Sequence, residues 1–249
     1  MSDEDRIKDY TQKIALDPKN ASYYIERGIA YKKLGNYNQA IADFTSAIAL
    51  DPKDASTYNN RGYVYDELKN YNQAIENYTQ AIALNPNYAV AYKNRGDAYF
   101  ELRKYDQAIE DYTKAIELDP KYAVELYPKL ALAYSNRGDA YFGHREYSKA
   151  IVCYTRAIEL NLEDTVAYSH RGSAYIGVRN YNQAIEDYTK AIELDPKNTV
   201  TYSNRGFAYH SLENYTQAIE DYEKAIELDP TLDRRGEGEW RIDPEWIDP

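Results

Sequence analysis

The chain has 249 residues, a net charge of -11 and a single cysteine, Cys153. The acidic excess argues against binding to nucleic acid or to an anionic membrane surface, because both need clustered cations. The sequence has no apolar run long enough to span a membrane and no signal peptide at its acidic start, so we expect a cytoplasmic protein. Leu, Ile, Val and Phe are scarce, but 29 tyrosines supply packing area and the apolar residues are strictly periodic.

Residues 1–20 are predicted to form one helix. Ile7, Tyr10 and Ile14 recur at spacings of three and four, which places them on one helical face. Pro18 follows the end of this stripe, where a residue without a backbone N–H stops a helix.

The next 34 residues set a pattern that the rest of the chain repeats. Tyr24 and Gly28 share one face of a first predicted helix, and Ala40 and Phe44 share one face of a second. Gly35 lies between them, where a helix end favours a residue that adopts positive φ. Each 34-residue unit is therefore predicted to be a pair of antiparallel helices.

The dipeptide Arg-Gly marks each copy of the unit. Its arginines are Arg27, Arg61, Arg95, Arg137, Arg171 and Arg205, at spacings of 34, 34, 42, 34 and 34 residues. The predicted units are 21–54, 55–88, 89–122, 131–164, 165–198 and 199–232, with eight extra residues near 123–130. Six copies in register make the repeat a property of the whole stretch 21–232.

These residues resemble the tetratricopeptide repeat (TPR) family. The resemblance implies an all-α, right-handed superhelical α-solenoid of antiparallel helix pairs, in which residues 1–20 are a half repeat that supplies only a second helix. It also implies a non-enzymatic scaffold that binds a peptide or helix of another protein in a concave groove lined by the first helices. Fold alone does not establish such a function, so the groove residues must be considered individually.

Arginine precedes the glycine where the family normally has a large apolar residue. We expect each arginine to lie on the seam between repeats and to pair with an acidic residue of a second helix, such as Asp111, Asp187 or Asp221. The alternative is a solvated arginine whose stem covers apolar surface.

The residue before each Arg-Gly is predicted to face the groove. It is asparagine in four units, although asparagine is a mediocre helix former, and its amide both donates and accepts hydrogen bonds. A row of amides could hold the main chain of an extended peptide; the alternative is a solvated residue duplicated with its repeat. The predicted groove residues are Asn60, Asn94, Asn136, His170, Asn204, Asn59, Lys93, Tyr63, Phe100, Phe142 and Phe207.

The expected partner is a basic or neutral segment with apolar anchors. Charged residues of the predicted groove concentrate in the first half of the chain, and the last two units are uncharged there. TPR co-chaperones hold acidic C-termini in a carboxylate clamp, of which Lys93 and Asn136 would supply two members. Asp97 and His170 stand where that clamp has an asparagine and a cation, so it is incomplete.

The fourth unit and the tail depart from the pattern. The insertion is predicted either to start the first helix early at Pro128 or to form a short protruding helix. A second contact surface is predicted at Leu126, Tyr127, Val152 and Cys153; the alternative is that the insertion packs on Val152 and buries it. Residues 233–249 form a tail that contains both tryptophans, Trp240 and Trp246.

Three alternatives remain for the tail: it covers the last helix, it is a linear motif for a partner or another copy, or it is a disordered or vector-derived end.

No catalytic residues, metal ligands or cofactor site are predicted. The three histidines do not form a spaced metal set with Cys153, and no phosphate-binding loop occurs. Two alternatives to a free-standing scaffold remain: an adaptor segment of a larger protein, and self-assembly through uncapped repeat ends or through the tail.

Overall fold

The computed structural model describes residues 2–234, which form thirteen α-helices and no β-strand. The helices are α1 Asp3–Leu16, α2 Ala21–Lys33, α3 Tyr37–Leu50, α4 Ala55–Glu67, α5 Tyr71–Leu84, α6 Ala89–Glu101, α7 Tyr105–Leu118, α8 Ala123–Gly143, α9 Tyr147–Leu160, α10 Thr165–Gly177, α11 Tyr181–Leu194, α12 Thr199–Ser211 and α13 Tyr215–Leu228. None of the helices in this range is long and apolar enough to cross a membrane. The predicted all-α fold is confirmed, and six helix pairs follow the single helix α1.

The two helices of a pair meet where a glycine faces an aromatic ring. A Cβ atom added to Gly28 on α2 would lie 2.9 Å from the ring of Phe44 on α3. A Cβ atom added to Gly172 on α10 would lie 2.8 Å from the ring of Tyr188 on α11. Glycine is therefore required at these positions by close approach of the helices and not by backbone conformation.

The turn inside each pair uses one residue in the left-handed backbone region. In the first pair this residue is Gly35, with φ of 74°. The Asn36 backbone N–H donates to the Tyr31 carbonyl, which closes a Schellman-type helix end. The five later turns have larger residues in the same conformation: Lys69, Arg103, Arg145, Arg179 and Glu213, with φ between 56° and 60°.

The chain divides within α8, between Leu126 and Tyr127, into two compact units, each of which contains several of the 34-residue repeats. The part before this point is the first unit, and the part after it is the second unit. The insertion is helical and continuous with the first helix of the fourth pair, because α8 runs for 21 residues from Ala123 to Gly143. Both expectations for this segment are therefore wrong: the helix does not begin at Pro128, and no separate helix protrudes. Pro128 lies inside α8, and a short 3-10 turn at Pro120–Tyr122 precedes it.

The core of each unit joins one pair to the next. In the first unit, Ala40 and Phe44 of α3 pack against Val64 of α4. In the second unit, Ala184 and Tyr188 of α11 pack in the same way against Ala208 of α12. These second helices therefore bury their aromatic residue between their own partner and the following pair, as expected of stacked repeats.

The Arg-Gly arginines also link neighbouring pairs. Four of them hold an aspartate of their own pair with two hydrogen bonds of 2.7–2.8 Å: Arg27–Asp43, Arg95–Asp111, Arg171–Asp187 and Arg205–Asp221. The remaining guanidinium nitrogen donates to a threonine of the preceding second helix at 3.0–3.1 Å, as in Arg171 to Thr155 and Arg205 to Thr189. For these four arginines the predicted seam position with an acidic partner is confirmed, and the alternative of a solvated stem is wrong; for Arg61 and Arg137 the prediction of an acidic partner is wrong.

Two arginines have a different partner where the aspartate would stand. Arg61 donates from Nε to Asn77 Oδ1 at 2.8 Å, and Arg137 donates from Nε to Cys153 Sγ at 3.3 Å. Hydrogen bonding to Asp221 raises the pKa of Arg205 further above its ordinary value, so the guanidinium stays charged. The arginine is thus the constant member of the contact and the second-helix residue is the variable one.

Candidate binding surface

The predicted asparagine row lies on the first helices, one residue before each arginine. Asn60 and Asn94 belong to the first unit, and Asn136, His170 and Asn204 belong to the second. All five side chains are half-buried. The row therefore consists of two separate sets of residues, each held on the helices of one unit.

In the first unit both asparagines already have partners. Lys32 Nζ donates to Asn60 Oδ1 at 2.9 Å and lies 5.0 Å from the ring centroid of Tyr63. Asn94 Nδ2 donates to the Oδ1 of Asn59, which is buried, at 3.2 Å. Burial lowers the pKa of Lys32, as expected for an ammonium group that is partly withdrawn from water. These contacts orient the amides and connect successive first helices.

Lys93, the predicted groove cation of the third pair, forms an ion pair with Glu125 at 3.0 Å. Glu125 lies in the first turn of α8, so it belongs to the inserted segment. The Lys93 side chain is only 21% exposed in this arrangement. The sequence did not indicate this contact, because it depends on where the insertion places its carboxylates.

In the second unit a carboxylate connects two first helices. Asp139 on α8 accepts hydrogen bonds from Tyr154 Oη at 2.7 Å and from His170 Nδ1 at 2.9 Å. Burial opposes the charged form of Asp139, but the bonds from His170 and Tyr154 outweigh it and hold its pKa below the ordinary value. His170 is thus joined to its neighbour in the chain of repeats rather than being an isolated member of the row.

Two of the predicted aromatic groove residues, Phe100 and Phe142, pack against the start of the following second helix. Phe100 contacts Tyr105 with ring centroids 5.6 Å apart, and Phe142 contacts Tyr147 at 5.2 Å. Phe207 is half-buried and Tyr63 is exposed. Hydrogen bonding to Glu67, together with burial, raises the pKa of Tyr63 to about 12. The first-helix surface therefore combines amides, phenols and carboxylates with partly exposed aromatic faces.

The sequence profile described as "Tetratricopeptide repeat" matches residues 55–88, 89–122, 131–164, 165–198 and 200–232. The chain belongs to the tetratricopeptide repeat family. A second profile, described as "TPR repeat", matches residues 30–69, and no curated protein matches the chain.

Several solved TPR structures are similar to the chain. The crystal structure of YrrB, "a TPR protein with an unusual peptide-binding site", has a TM-score of 0.51 and 26% identity, and the match covers 75% of this chain and 92% of YrrB. The first TPR of Spaghetti (RPAP3), bound to an HSP90 peptide, has 36% identity and a TM-score of 0.41, with 42% and 82% covered. The TPR2AB domain of yeast Sti1, in a complex with pHSP90, has 25% identity and a TM-score of 0.41, with 86% and 92% covered. The likeness to YrrB supports the TPR fold; the other two scores are too low to support an argument.

The predicted second surface of this TPR protein is only partly accessible. Leu126 and Cys153 are buried, at 0% and 1% exposure, so the prediction that they contact a partner is wrong. Both pack inward because they occupy core-facing turns of α8 and α9. Tyr127 and Val152 are exposed, at 44% and 60%, so the alternative in which the insertion buries Val152 is wrong too. A surface at Tyr127 and Val152 stays a prediction, and Trp240 and Trp246 lie outside the described residues.

Metal ligation finds no support in residues 2–234. No group of three or more His, Cys, Asp or Glu side chains in this part of the TPR chain is arranged to hold a metal ion. The side chains of the candidate binding surface therefore offer hydrogen bonds, charge and aromatic contact.

Proposed function

We propose that this TPR protein is a non-enzymatic scaffold that binds a segment of another protein along the groove side of its first helices. The observation that carries the proposal is the row of half-buried amides at one register: Asn60 and Asn94 in the first unit, Asn136 and Asn204 in the second. An asparagine side chain offers two donors and an acceptor, so a row of them can hold a peptide main chain without reading its sequence. The "unusual peptide-binding site" named for the similar YrrB supports peptide binding on this fold.

The partner segment is proposed to be basic or neutral, with apolar anchors. On the second unit, Val166 and Val200 are exposed near the start of α10 and α12 and offer apolar contact. On the first unit, carboxylates such as Asp66 and Asp97 favour positive charge. The net charge of -11 supports a protein partner rather than nucleic acid, and we place the protein in the cytoplasm.

The asparagine row is tested by replacing its four members together. We expect the variant Asn60→Ala, Asn94→Ala, Asn136→Ala and Asn204→Ala to recover much less partner from a cell extract than the wild type, at unchanged helical circular dichroism. The matched control replaces three exposed asparagines of second helices, Asn38, Asn72 and Asn182, by alanine. Equal partner recovery by the two variants would contradict the proposed role of the row.

Self-association is a second candidate, favoured by the end of the repeat array. Tyr215 and Ile219 of α13 are more than half exposed, whereas the equivalent residues of earlier pairs pack against a following helix. We propose that copies associate through this face. Light scattering over a concentration series should then show oligomers that Ile219→Lys removes, and a wild-type monomer at high concentration would exclude them.

A further inference from the structure

The last α-helix of residues 2–234, α13, leaves accessible a face on which earlier second helices receive the next first helix. Ile185 of α11 packs against a core cluster that includes Ala208 of the following helix, α12. Its counterpart Ile219 on α13 is 55% exposed, and Tyr215, one turn before it, is 54% exposed. The side of α13 that corresponds to the contact with a following first helix is therefore open to a partner.

In the earlier pairs an arginine of the following first helix bonds to the edge of this face. It donates an N–H group at 3.0–3.1 Å to a threonine that lies sixteen residues before it, on the preceding second helix. The five bonds are Arg27–Thr11, Arg61–Thr45, Arg95–Thr79, Arg171–Thr155 and Arg205–Thr189. The threonine position therefore marks where the arginine of a covering helix arrives.

Helix α13 carries a carboxylate at this position in place of the hydroxyl. The residue 34 positions after Thr189 is Glu223, and its side chain is exposed. Lys224 of the same helix pairs with Glu227 at 2.8 Å and not with Glu223. A carboxylate accepts from a guanidinium more strongly than a hydroxyl does, because both groups are charged. The open face of α13 thus combines exposed apolar side chains with an acceptor suited to arginine.

The helices that cover such faces in this chain share a short pattern. Three residues after its arginine, each has a small or β-branched apolar residue that joins the core cluster of the preceding second helix. The pairs of residues are Arg61 with Val64, Arg95 with Ala98, Arg171 with Ala174, and Arg205 with Ala208. Residues three apart lie on one face of a helix, so the covering helix presents both side chains together.

We propose that α13 binds an amphipathic helix of another protein, in which an arginine is followed three residues later by alanine or valine. The guanidinium of this helix donates to Glu223, and its small apolar residue packs against Ile219 and Tyr215. The inference goes beyond binding in the groove and does not depend on it, because α13 is a second helix and carries none of the asparagine row.

A partner protein suits this face better than a second copy of the chain does. The arginines of the repeat pattern already donate to side chains of their own chain, as Arg205 does to Asp221 and Thr189. Two α13 helices facing each other would bring two Glu223 carboxylates to one interface, and like charges oppose association. The self-association considered above would use the same face, so a bound helix would compete with it.

The test uses the full chain and a helical peptide with the sequence of residues 198–214. This segment contains Arg205 and Ala208, and a hydrocarbon staple joins the positions of Ser203 and Phe207 on the opposite side of the helix. A matched peptide has citrulline, a neutral isostere of arginine, at position 205. Fluorescence anisotropy at low salt compares the two affinities. We expect the arginine peptide to bind about fivefold more tightly, because only it forms an ion pair with Glu223.

Three variants locate the effect. Glu223→Thr restores the residue of the earlier second helices and should bring the affinities of the two peptides within about twofold of each other. Glu110→Thr is the matched control, because it removes the same charge from an exposed position of α7, and it should keep the preference for arginine. Ile219→Lys places a charge in the apolar contact and should weaken both peptides at least about tenfold.

Equal affinity of the two peptides for the wild type, or binding of neither, would overturn the proposal. Binding that appears only after residues 235–249 are deleted would overturn it too, because the chain's own end would then occupy the face. Equal loss of preference in the Glu110 and Glu223 variants would refute the site, and so would unchanged binding by a folded Ile219→Lys variant. The outcome is separable from the proposed function, since the four-asparagine variant should bind the stapled peptide as the wild type does.

Discussion

At the scale of single residues, the seam between helix pairs holds a charged side chain in place of an apolar one. Arg171 is tolerated there because Asp187 accepts two of its N–H groups and Thr155 accepts a third. Its guanidinium also lies 5.7 Å from the ring centroid of Tyr168. These contacts are mostly buried, so their contribution to the stability of the fold depends on all partners being present together.

We expect Arg171→Ala to lower the free energy of unfolding by about 3 kcal/mol, because it leaves the Asp187 carboxylate buried without its counter-charge. Asp187→Asn should cost about 1 kcal/mol, because an amide oxygen can still accept from Nε. Arg61 and Asn77 already form that arrangement in the second pair. Urea unfolding measures both variants, and an Asp187→Asn variant as unstable as Arg171→Ala would contradict this account.

The sequence predicted the partner of these arginines but not the contacts of the binding surface. Asp187 and Asp221 could be anticipated because they recur at a fixed distance from the arginine. The ion pair of Lys93 with Glu125 could not be anticipated. Glu125 lies in an insertion that no other repeat contains, so the repeat pattern does not predict where its side chain lies. The unpartnered hydroxyl of Tyr78 likewise could not be predicted, because the repeat pattern does not show which side chains surround it.

At the scale of helices and turns, five of the six turns within pairs place a non-glycine residue at positive φ. The sequence predicted the turn at Gly35 from its glycine, but it gave no corresponding signal at Arg103 or Arg179. These residues adopt the left-handed conformation because the helix packing on both sides fixes the geometry of the turn. The strain is of the order of 1 kcal/mol for each residue.

Arg179→Gly should therefore stabilise the protein by about 0.5–1 kcal/mol, since the release of strain exceeds the added entropy of the unfolded chain. The reciprocal change, Gly35→Arg, should destabilise it by about 1 kcal/mol. Thermal unfolding of the two variants measures the difference, and Arg179 suits the test because its side chain is exposed. A destabilised Arg179→Gly variant would show that its side chain makes a stabilising contact.

Helix α8 is the element that sequence patterns described least well. The repeat spacing located eight extra residues, and Pro128 suggested a helix start. The chain instead continues as one helix through Pro128 from Ala123. Leu126 and Leu130 explain this outcome, because both are buried on one side of the inserted turns and favour a continuous apolar stripe.

At the scale of the whole molecule, the TPR array is a series of pairs whose stability depends on their neighbours. Ile185 of α11 packs against a cluster that includes Ala208 of the following pair. Ile219 holds the same register in α13 and is 55% exposed. The same residue type thus stands in a covered and in an uncovered position.

We expect Ile185→Ala to lower the free energy of unfolding by about 2 kcal/mol, because it leaves a cavity between two pairs. Ile219→Ala should cost about 0.5 kcal/mol or less, since its side chain already contacts water. Chemical denaturation at low protein concentration compares them. A large effect at Ile219 would indicate that some part of the chain, or a second copy, covers this face.

Five of the seam arginines donate to a threonine outside their own hairpin, which limits how such hairpins can be recombined. The aspartate or asparagine that accepts from each of these arginines belongs to the same hairpin, but the threonine hydroxyl belongs to the preceding second helix, as Thr189 does for Arg205. A hairpin grafted into another scaffold would keep one half of this contact and lose the other unless its new predecessor carries threonine at that place. Two hairpins can therefore be joined with this contact intact only where threonine, arginine and an aspartate or asparagine all stand at these positions.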